Sequence, residues 1–371
     1  VVTVESKNIE NTSISDSYVM RFDASGALDP TFDSDGIVRF AFSPDQDIEG
    51  LRAVAIQADG KIVVAGRVPA TSSVGLARLN PDGTLDSSFG NGGKLTFQFV
   101  KREAATPNSV VVGPDGRITV AGRSNNKSFA FARFNPDGTL DPSFNATGKL
   151  NIVVSTNSSS ACGTSSMILS PDGKYLASGS RCATNRDAQT FMVVRVNANG
   201  TIDSTFGSGG KVVTSLGGSW SIARNVAVDS NGRVVVGGDW LNNGKSWVFA
   251  RYLAGGQLDQ SFGSGGLVIF SSPGFRTMTG MAIQADGKIV GSGWDRASDS
   301  GDSSVLILRI TADGFSLDST FGNGGSTYTN YSPGSDDGNA IAVQSDGKFV
   351  VGGNLSPYGN KWSVGLLRYL P

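Results

Sequence analysis

Histidine is absent from the sequence. That excludes Ser-His-Asp and Cys-His catalysis as usually built, and it removes the commonest zinc ligand. Cysteine is scarce, with 2 in 371 residues, too few for a thiolate metal cluster. Excess charge of one sign is lacking too. A net charge of −1 argues against a nucleic-acid or anionic-membrane partner recognised through bulk charge. The longest apolar runs have the length of strands, so no membrane span is expected. No segment of useful length has helical periodicity. The N-terminus shows no charged-then-apolar leader pattern, which fits either a cytosolic chain or a mature or trimmed one.

Glycine, by contrast, is abundant at 50 residues, nearly twice average usage, as many tight turns require. Its placement is periodic. The stretch from Leu51 to Phe99 reads as four strands, A to D. Val54–Ile56 and Ile62–Ala65 flank Asp59-Gly60, a hairpin signal that predicts a type I′ turn with φ > 0 at both central residues. Val74–Leu79 follows as strand C and ends in Arg78 and a leucine. A longer turn then carries Asp82-Gly83, Leu85-Asp86, Phe89-Gly90 and Gly92-Gly93 before strand D, Lys94–Phe99.

This unit repeats along the whole chain. The A–B turn recurs at Asp115-Gly116, Asp172-Gly173, Asn231-Gly232, Asp286-Gly287 and Asp346-Gly347. The strand C arginine recurs at Arg21, Arg78, Arg133, Arg195, Arg251, Arg309 and Arg368, at intervals of 57, 55, 62, 56, 58 and 59 residues by subtraction. An Asp-x-x-Phe element recurs at Asp29/Phe32, Asp86/Phe89, Asp141/Phe144, Asp203/Phe206, Asp259/Phe262 and Asp318/Phe321. A fixed period of four strands is the signature of a propeller or array.

Strands A and B are apolar at consecutive positions, as in Ile62-Val63-Val64 and Val234-Val235-Val236. Both their faces must be buried, which suits a sheet packed between two other sheets. Radial repetition supplies that burial for every unit. The expected fold is therefore all-β, a single β-propeller domain over residues 1–371 with four-stranded antiparallel blades. Residues 1–42 read as a unit lacking strand A, with Val1–Glu5, Tyr18–Phe22 and Ile37–Phe42 as B, C and D. Five full units follow at 51–99, 106–155, 165–215, 221–270 and 277–329, and residues 338–371 supply a last A, B and C, so 3 + 20 + 3 = 26 strands. Seven arginines favour seven blades. A six-bladed ring, in which Ile37–Phe42 supplies the last unit's strand D, is the alternative. The incomplete ends also allow self-association through terminal strands, head to tail.

The segment Arg78-Leu79-Asn80-Pro81-Asp82-Gly83-Thr84-Leu85-Asp86 through Phe89-Gly90-Asn91-Gly92-Gly93, together with Gln57-Ala58-Asp59-Gly60-Lys61 and Ile62–Gly66, resembles the delta-60 repeat. The resemblance covers essentially the whole chain. It implies a β-propeller of the kind found in bacterial surface and secreted proteins, and it implies little about activity. The departures are the shortened first and last units, Asn231 in place of the turn aspartate, and Ala254-Gly255-Gly256 in the C–D turn.

Cys162 precedes strand A of one unit and Cys182 follows its strand B. Residues paired across Asp172-Gly173 should have numbers summing to about 345, and 162 + 182 is 344. The two lie almost opposite each other, so a disulfide is expected, with two free thiols as the alternative. A bridge implies an oxidising compartment, and an extracellular, cell-surface or periplasmic location.

The repeated arginine and aspartate are expected to be architectural, because a catalytic site is needed once. The aspartate would accept turn N–H groups or pair with the arginine, and the phenylalanine would plug between blades. With strand A innermost, the A–B and C–D turns share one end of each blade, and the variable B–C and D–A connections share the other. Variable loops on a rigid scaffold are where binding is sought. Every tryptophan falls there: Trp220 in a D–A connection, and Trp240, Trp247, Trp294 and Trp362 in or beside B–C connections. With Asp239, Asp295 and Arg296, and with Asp336 and Asp337 nearby, they suit a sugar ring or a protein surface. Packing between blades is the competing reading.

No cofactor is expected, with calcium the one ion to consider. Asp33-Ser34-Asp35-Gly36 begins like a calcium loop, but no glutamate follows at the twelfth place, so a plain turn is favoured. Asp295, Asp299 and Asp302 are the better candidates for a hard cation. Three functions compete: a non-catalytic module binding protein or glycan through the variable ends, a structural subunit joined through incomplete blades, and a glycan hydrolase or lyase using paired carboxylates. The first is the expectation, and the protein is not expected to be an enzyme.

Overall fold

The computed structural model describes residues 1–7, 15–40, 42, 50–155, 162–182, 189–242, 244–271, 275–296, 301–358 and 361–371. Two compact units contain them: Val1–Ala177 with Val196–Ile202, and Ser178–Arg195 with Asp203–Pro371. The described residues form 26 strands. The repeats build seven blades in chain order. Blade 1 is β1 (Val2–Lys7), β2 (Ser15–Met20) and β3 (Ile37–Phe40). Blade 2 is β4 (Leu51–Ile56), β5 (Ile62–Val68), β6 (Ser73–Leu79) and β7 (Lys94–Phe97). Blade 3 is β8 (Ala105–Val112), β9 (Ile118–Ser124), β10 (Lys127–Phe134) and β11 (Lys149–Val153). Blade 4 is β12 (Cys162–Leu169), β13 (Tyr175–Cys182), β14 (Gln189–Val196) and β15 (Lys211–Thr214). Blade 5 is β16 (Trp220–Val228), β17 (Val234–Leu241), β18 (Lys245–Tyr252) and β19 (Leu267–Phe270). Blade 6 is β20 (Phe275–Ile283), β21 (Ile289–Arg296), β22 (Ser303–Ile310) and β23 (Ser326–Thr329). Blade 7 is β24 (Asp336–Val343), β25 (Phe349–Tyr358) and β26 (Lys361–Tyr369).

Neighbours within a blade are antiparallel, and the two central strands of each full blade are buried on both faces, as β5 and β6 show. The core lies between facing sheets. Phe89, Phe97 and Phe134 meet between blades 2 and 3, and Trp247, Phe249 and Phe262 meet Met278 and Leu306 between blades 5 and 6. First strands of successive blades pack side by side in each unit, as β4 does with β8 and β20 with β24. Strand A is thus the inner strand.

The A–B turn corrects one expectation. Gly60 has φ 84°, whereas Asp59 stays outside the left-handed region. Gly60 N–H donates to Gln57 O at 2.9 Å and Gln57 N–H to Lys61 O at 2.8 Å. This is a type I turn closed by a left-handed glycine, not type I′. Asp59 prefers it because its carboxylate accepts the Lys61 N–H at 3.1 Å, an Asx turn that needs negative φ.

Sequence reading also missed a recurrent bulge in strand A. The A–B register slips at Leu51/Ala53, Pro107/Ser109, Ala223/Asn225, Met278/Gly280 and Gly338/Ala340. The bulged backbone crowds strand B, where a Cβ on Gly238 would lie 2.0 Å from Ile222 O. Only glycine fits under such an approach.

The repeated arginine proves to be a latch between blades. Arg78 Nε donates to Asp86 Oδ2 at 2.6 Å, Nη2 to Ser88 Oγ at 3.2 Å, and Nη1 to the Pro136 carbonyl of the next blade at 2.6 Å. Its guanidinium carbon sits 4.7 Å from the centroid of the fully buried Phe89 ring. The Nη1 contact recurs as Arg21 to Pro81, Arg133 to Ala198, Arg195 to Ala254 and Arg251 to Ala312. A backbone bond accompanies it, as in Gly90 N–H to Asp137 O at 2.8 Å and Gly263 N–H to Asp313 O at 2.9 Å. The aspartate therefore plays both expected parts, accepting turn donors and holding the arginine. Asp33-Ser34-Asp35-Gly36 belongs to this element, since Asp33 N–H donates to Asp82 O at 2.8 Å.

Both cysteines are disulfide-bonded, Cys162 at the start of β12 and Cys182 at the end of β13.

Candidate functional site

The latch occupies the A–B and C–D ends of blades 1 to 6, with the same arginine–aspartate pair in each. The other ends differ, and in the second unit they hold a cluster of charged and aromatic side chains.

Asp239 is in β17 immediately after Gly238, at the position where strand B leaves the bulge. It is wholly buried. Its Oδ2 accepts Arg224 Nε at 2.7 Å and lies 3.7 Å from Lys245 Nζ, and its Oδ1 accepts the Met278 N–H of blade 6 at 2.9 Å. A carboxylate can be buried at this depth only when both oxygens are answered by donors or cations. Lys245, the first residue of β18, points its ammonium between two indoles, 5.4 Å from the Trp220 centroid and 5.6 Å from that of Trp294, and donates to Thr277 Oγ1. Burial pushes this ammonium below its usual pKa. Asp239 opposes that shift and Arg224 adds to it.

A second group adjoins the first through Trp294, with Arg296 lying 5.4 Å from the same ring. Arg276, in β20, is 3% exposed, pairs with Asp295 at 3.0 Å, donates to Tyr328 OH at 3.1 Å and stacks 4.6 Å from Phe270. Burial raises the Tyr328 phenol above its usual value. Asp336 is tied down by the N–H groups of Tyr331 and Ser332 at 2.6 and 2.9 Å. Asp337 accepts Ser303 Oγ at 2.7 Å, and burial raises its carboxyl pKa against that bond and the Arg296 charge.

Among the residues named from sequence, Trp240, Trp294, Asp295 and Arg296 are half-buried at these ends, and Trp240 Nε1 donates to Gly217 O at 2.8 Å. Trp247 is fully buried in the core between blades 5 and 6, where a Cβ on Gly293 would lie 2.8 Å from its ring. It faces protein, not solvent. Trp362 belongs to β26, but its side chain lies outside the described residues, as does Asp299 altogether. Asp302 accepts Ser335 Oγ at 3.4 Å. No group of three or more Asp, Glu, Cys or His side chains is placed to hold a metal ion among the described residues.

Sequence reading passed over Lys245 and Arg224. A signal existed for the first, because the short B–C connection pairs Asp239 with Trp247 and Leu241 with Lys245, placing the lysine beside the carboxylate. Arg224 had none, because the bulge that redirects it leaves no trace in the apolar pattern.

The family described as "Domain of unknown function (DUF5122) beta-propeller" matches residues 9–32, 57–89, 113–144, 170–206, 230–262, 284–321 and 344–371. Every segment but the last ends on the phenylalanine of a latch. No curated protein matches the sequence. Among solved structures, the chain is similar to a protein from Lactobacillus plantarum, with 10% identity, 99% of this chain and 94% of that one covered, and a TM-score of 0.52. It is also similar to a protein of unknown function from Dyadobacter fermentans, with 12% identity, 85% and 93% covered, and a TM-score of 0.51. The PQQ-bound aldose sugar dehydrogenase of Streptomyces coelicolor matches at 12% identity, 85% and 93% covered, and a TM-score of 0.49. Likeness at such identities shows the fold alone.

Proposed function

The chain belongs to the DUF5122 beta-propeller family, whose description fixes an architecture and leaves activity open, and on that footing we propose that it is a non-catalytic binding module for glycans. The observation that supports this most is the group of half-buried indoles, Trp220, Trp240 and Trp294, set among Arg224, Lys245, Asp295 and Arg296 at the variable ends of blades 5 and 6. Indole faces beside fixed polar groups suit the apolar faces and hydroxyls of sugar rings. A protein partner would need about 800 Å² of complementary surface per side. The large exposed apolar side chains are mostly elsewhere: Leu85, Leu140 and Phe315 in latch turns, and Val213 and Ile269 on outer strands. Asp239, Asp295 and Asp336 are engaged by arginine, lysine or backbone donors, and Asp337 by the Ser303 hydroxyl, which fits binding better than acid–base work.

The disulfide supports an oxidising compartment, and no helix of the described residues is long and apolar enough to cross a membrane. We read the protein as secreted or displayed on a bacterial surface, of delta-60 type. A second reading, a subunit that self-associates, draws on β26. Leu366 and Leu367 there are half-covered, whereas Leu306, Ile307 and Leu308 in β22 are fully buried.

A glycan array followed by titration of tryptophan fluorescence tests the main reading. Trp294→Ala should weaken binding at least about tenfold, since aromatic anchors dominate such sites. Absence of any bound glycan, with particles growing with concentration in light scattering, would replace it with the second reading.

A further inference from the structure

The charges of the Asp239 cluster do not balance. Arg224 and Lys245 both lean on one carboxylate, and among the described residues Asp239 is the one acidic group within ion-pair distance of either cation. One positive charge is left over, with the Lys245 ammonium lying near the rings of both Trp220 and Trp294.

The surplus has a usable shape. Asp239 engages the Nε of Arg224, and the two Nη groups have no protein partner among the described residues. The arginine side chain is 34% exposed while its carboxylate support is 0% exposed. A buried acid, itself pinned by the Met278 N–H of the next blade, thus aims an accessible two-pronged donor before any ligand arrives. Such pre-organisation lowers the ordering cost of binding, and a guanidinium fork matches a planar anion with two oxygens.

Comparison along the repeats gives an independent argument. Arg224 is the bulge residue of its blade, and of the equivalent residues Arg52, Asn108, Thr279 and Asn339, two, Asn108 and Thr279, bond the next blade's backbone, at Thr164 O (2.7 Å) and Gly338 O. In those two blades the bulge side chain helps hold the scaffold. In blade 5 its outer nitrogens do not.

We infer that Arg224, with Lys245 behind it, is the anion-reading group of this site, and that the ligand is an acidic glycan whose anionic group meets the fork while a neighbouring ring lies against an indole. This rests on the glycan-binding reading above and adds the ligand's charge to it.

The test uses three probes with the intact protein: oligogalacturonate, its carboxyl-reduced counterpart, and a sulfated galactan oligomer. Titration by tryptophan fluorescence or calorimetry should show an acidic probe binding at least about tenfold more tightly than the reduced one, and the preference should shrink with salt. The carboxylated and sulfated arms identify which anion is read. Arg224→Gln should bring the acidic and reduced probes to within about twofold of each other, mainly through weaker binding of the acidic ones. Equal affinity of the wild type for acidic and reduced probes overturns the inference and leaves the glycan reading standing, without depending on any variant. Binding of a polyglutamate peptide with no binding of any glycan overturns both.

Discussion

Removing Arg78 should reveal how much the latch contributes and why. In Arg78→Ala the Asp86 carboxylate, 8% exposed, loses its 2.6 Å partner and keeps Lys61 Nζ at 2.9 Å. The Pro136 carbonyl loses its donor and the Phe89 ring loses its cation. Breaking a buried ion pair by deleting one partner costs about 3–5 kcal/mol. Because Lys61 still neutralises the acid, the lower end applies, about 3 kcal/mol. Arg21 makes the same contacts to Asp29, Pro81 and Phe32, but its side chain is 21% exposed and that of Asp29 is 23% exposed. Water replaces most of what is lost there, so Arg21→Ala should cost about 1 kcal/mol. The gap of about 2 kcal/mol is roughly thirtyfold in an unfolding equilibrium. Denaturant melts of wild type and both variants, followed by tryptophan fluorescence, measure it. Equal losses at the two positions would refute the reasoning that burial, not contact geometry, sets the strength of the latch.

Acid should act on the same element. Burial alone would raise the carboxyl pKa values of Asp86, Asp141, Asp259 and Asp318, but hydroxyl, backbone, arginine or lysine donors outweigh it and hold all four below the usual range. Their contribution is present above the unfolded value of about 4 and is lost as pH falls through the folded values, so thermal midpoints should drop below pH of about 4. Gly238→Ala, whose Cβ would meet Ile222 O at 2.0 Å, should cost about 3 kcal/mol or more. Gly209→Ala, at φ 59° with open space around it, should cost about 1–2 kcal/mol, and similar losses would remove the steric argument for the bulge. Reducing the disulfide, which closes a loop of 182 − 162 = 20 residues, should cost about 3 kcal/mol on chain-entropy grounds. Intact mass and thermal melting with and without reductant measure it.

Period, strand number and the architectural nature of the Arg–Asp–Phe set were all legible in sequence, because each is repeated and repetition separates pattern from accident. The partner of Arg78 Nη1 was not. A backbone carbonyl 58 residues away carries no side-chain signature. The bulge escaped for the same reason, although its glycine was in plain view within strand B, as Gly66, Gly122 and Gly238. At the candidate site the tryptophans were visible but their surroundings were not. Trp240 and Trp247 are seven residues apart in one hairpin, yet one is half-buried at the blade end and the other is sealed in the core. Only the neighbouring blade decides between them.

The five latches that reach the next blade's carbonyl, those of Arg21, Arg78, Arg133, Arg195 and Arg251, all point one way, from the arginine to a residue later in the chain. During synthesis Arg78 must wait for Pro136, 58 residues on, to leave the ribosome. At roughly 5–20 residues per second that is about 3–12 s for each repeat. A growing chain therefore carries one unsatisfied guanidinium at its advancing edge, and each newly translated turn closes the blade before it.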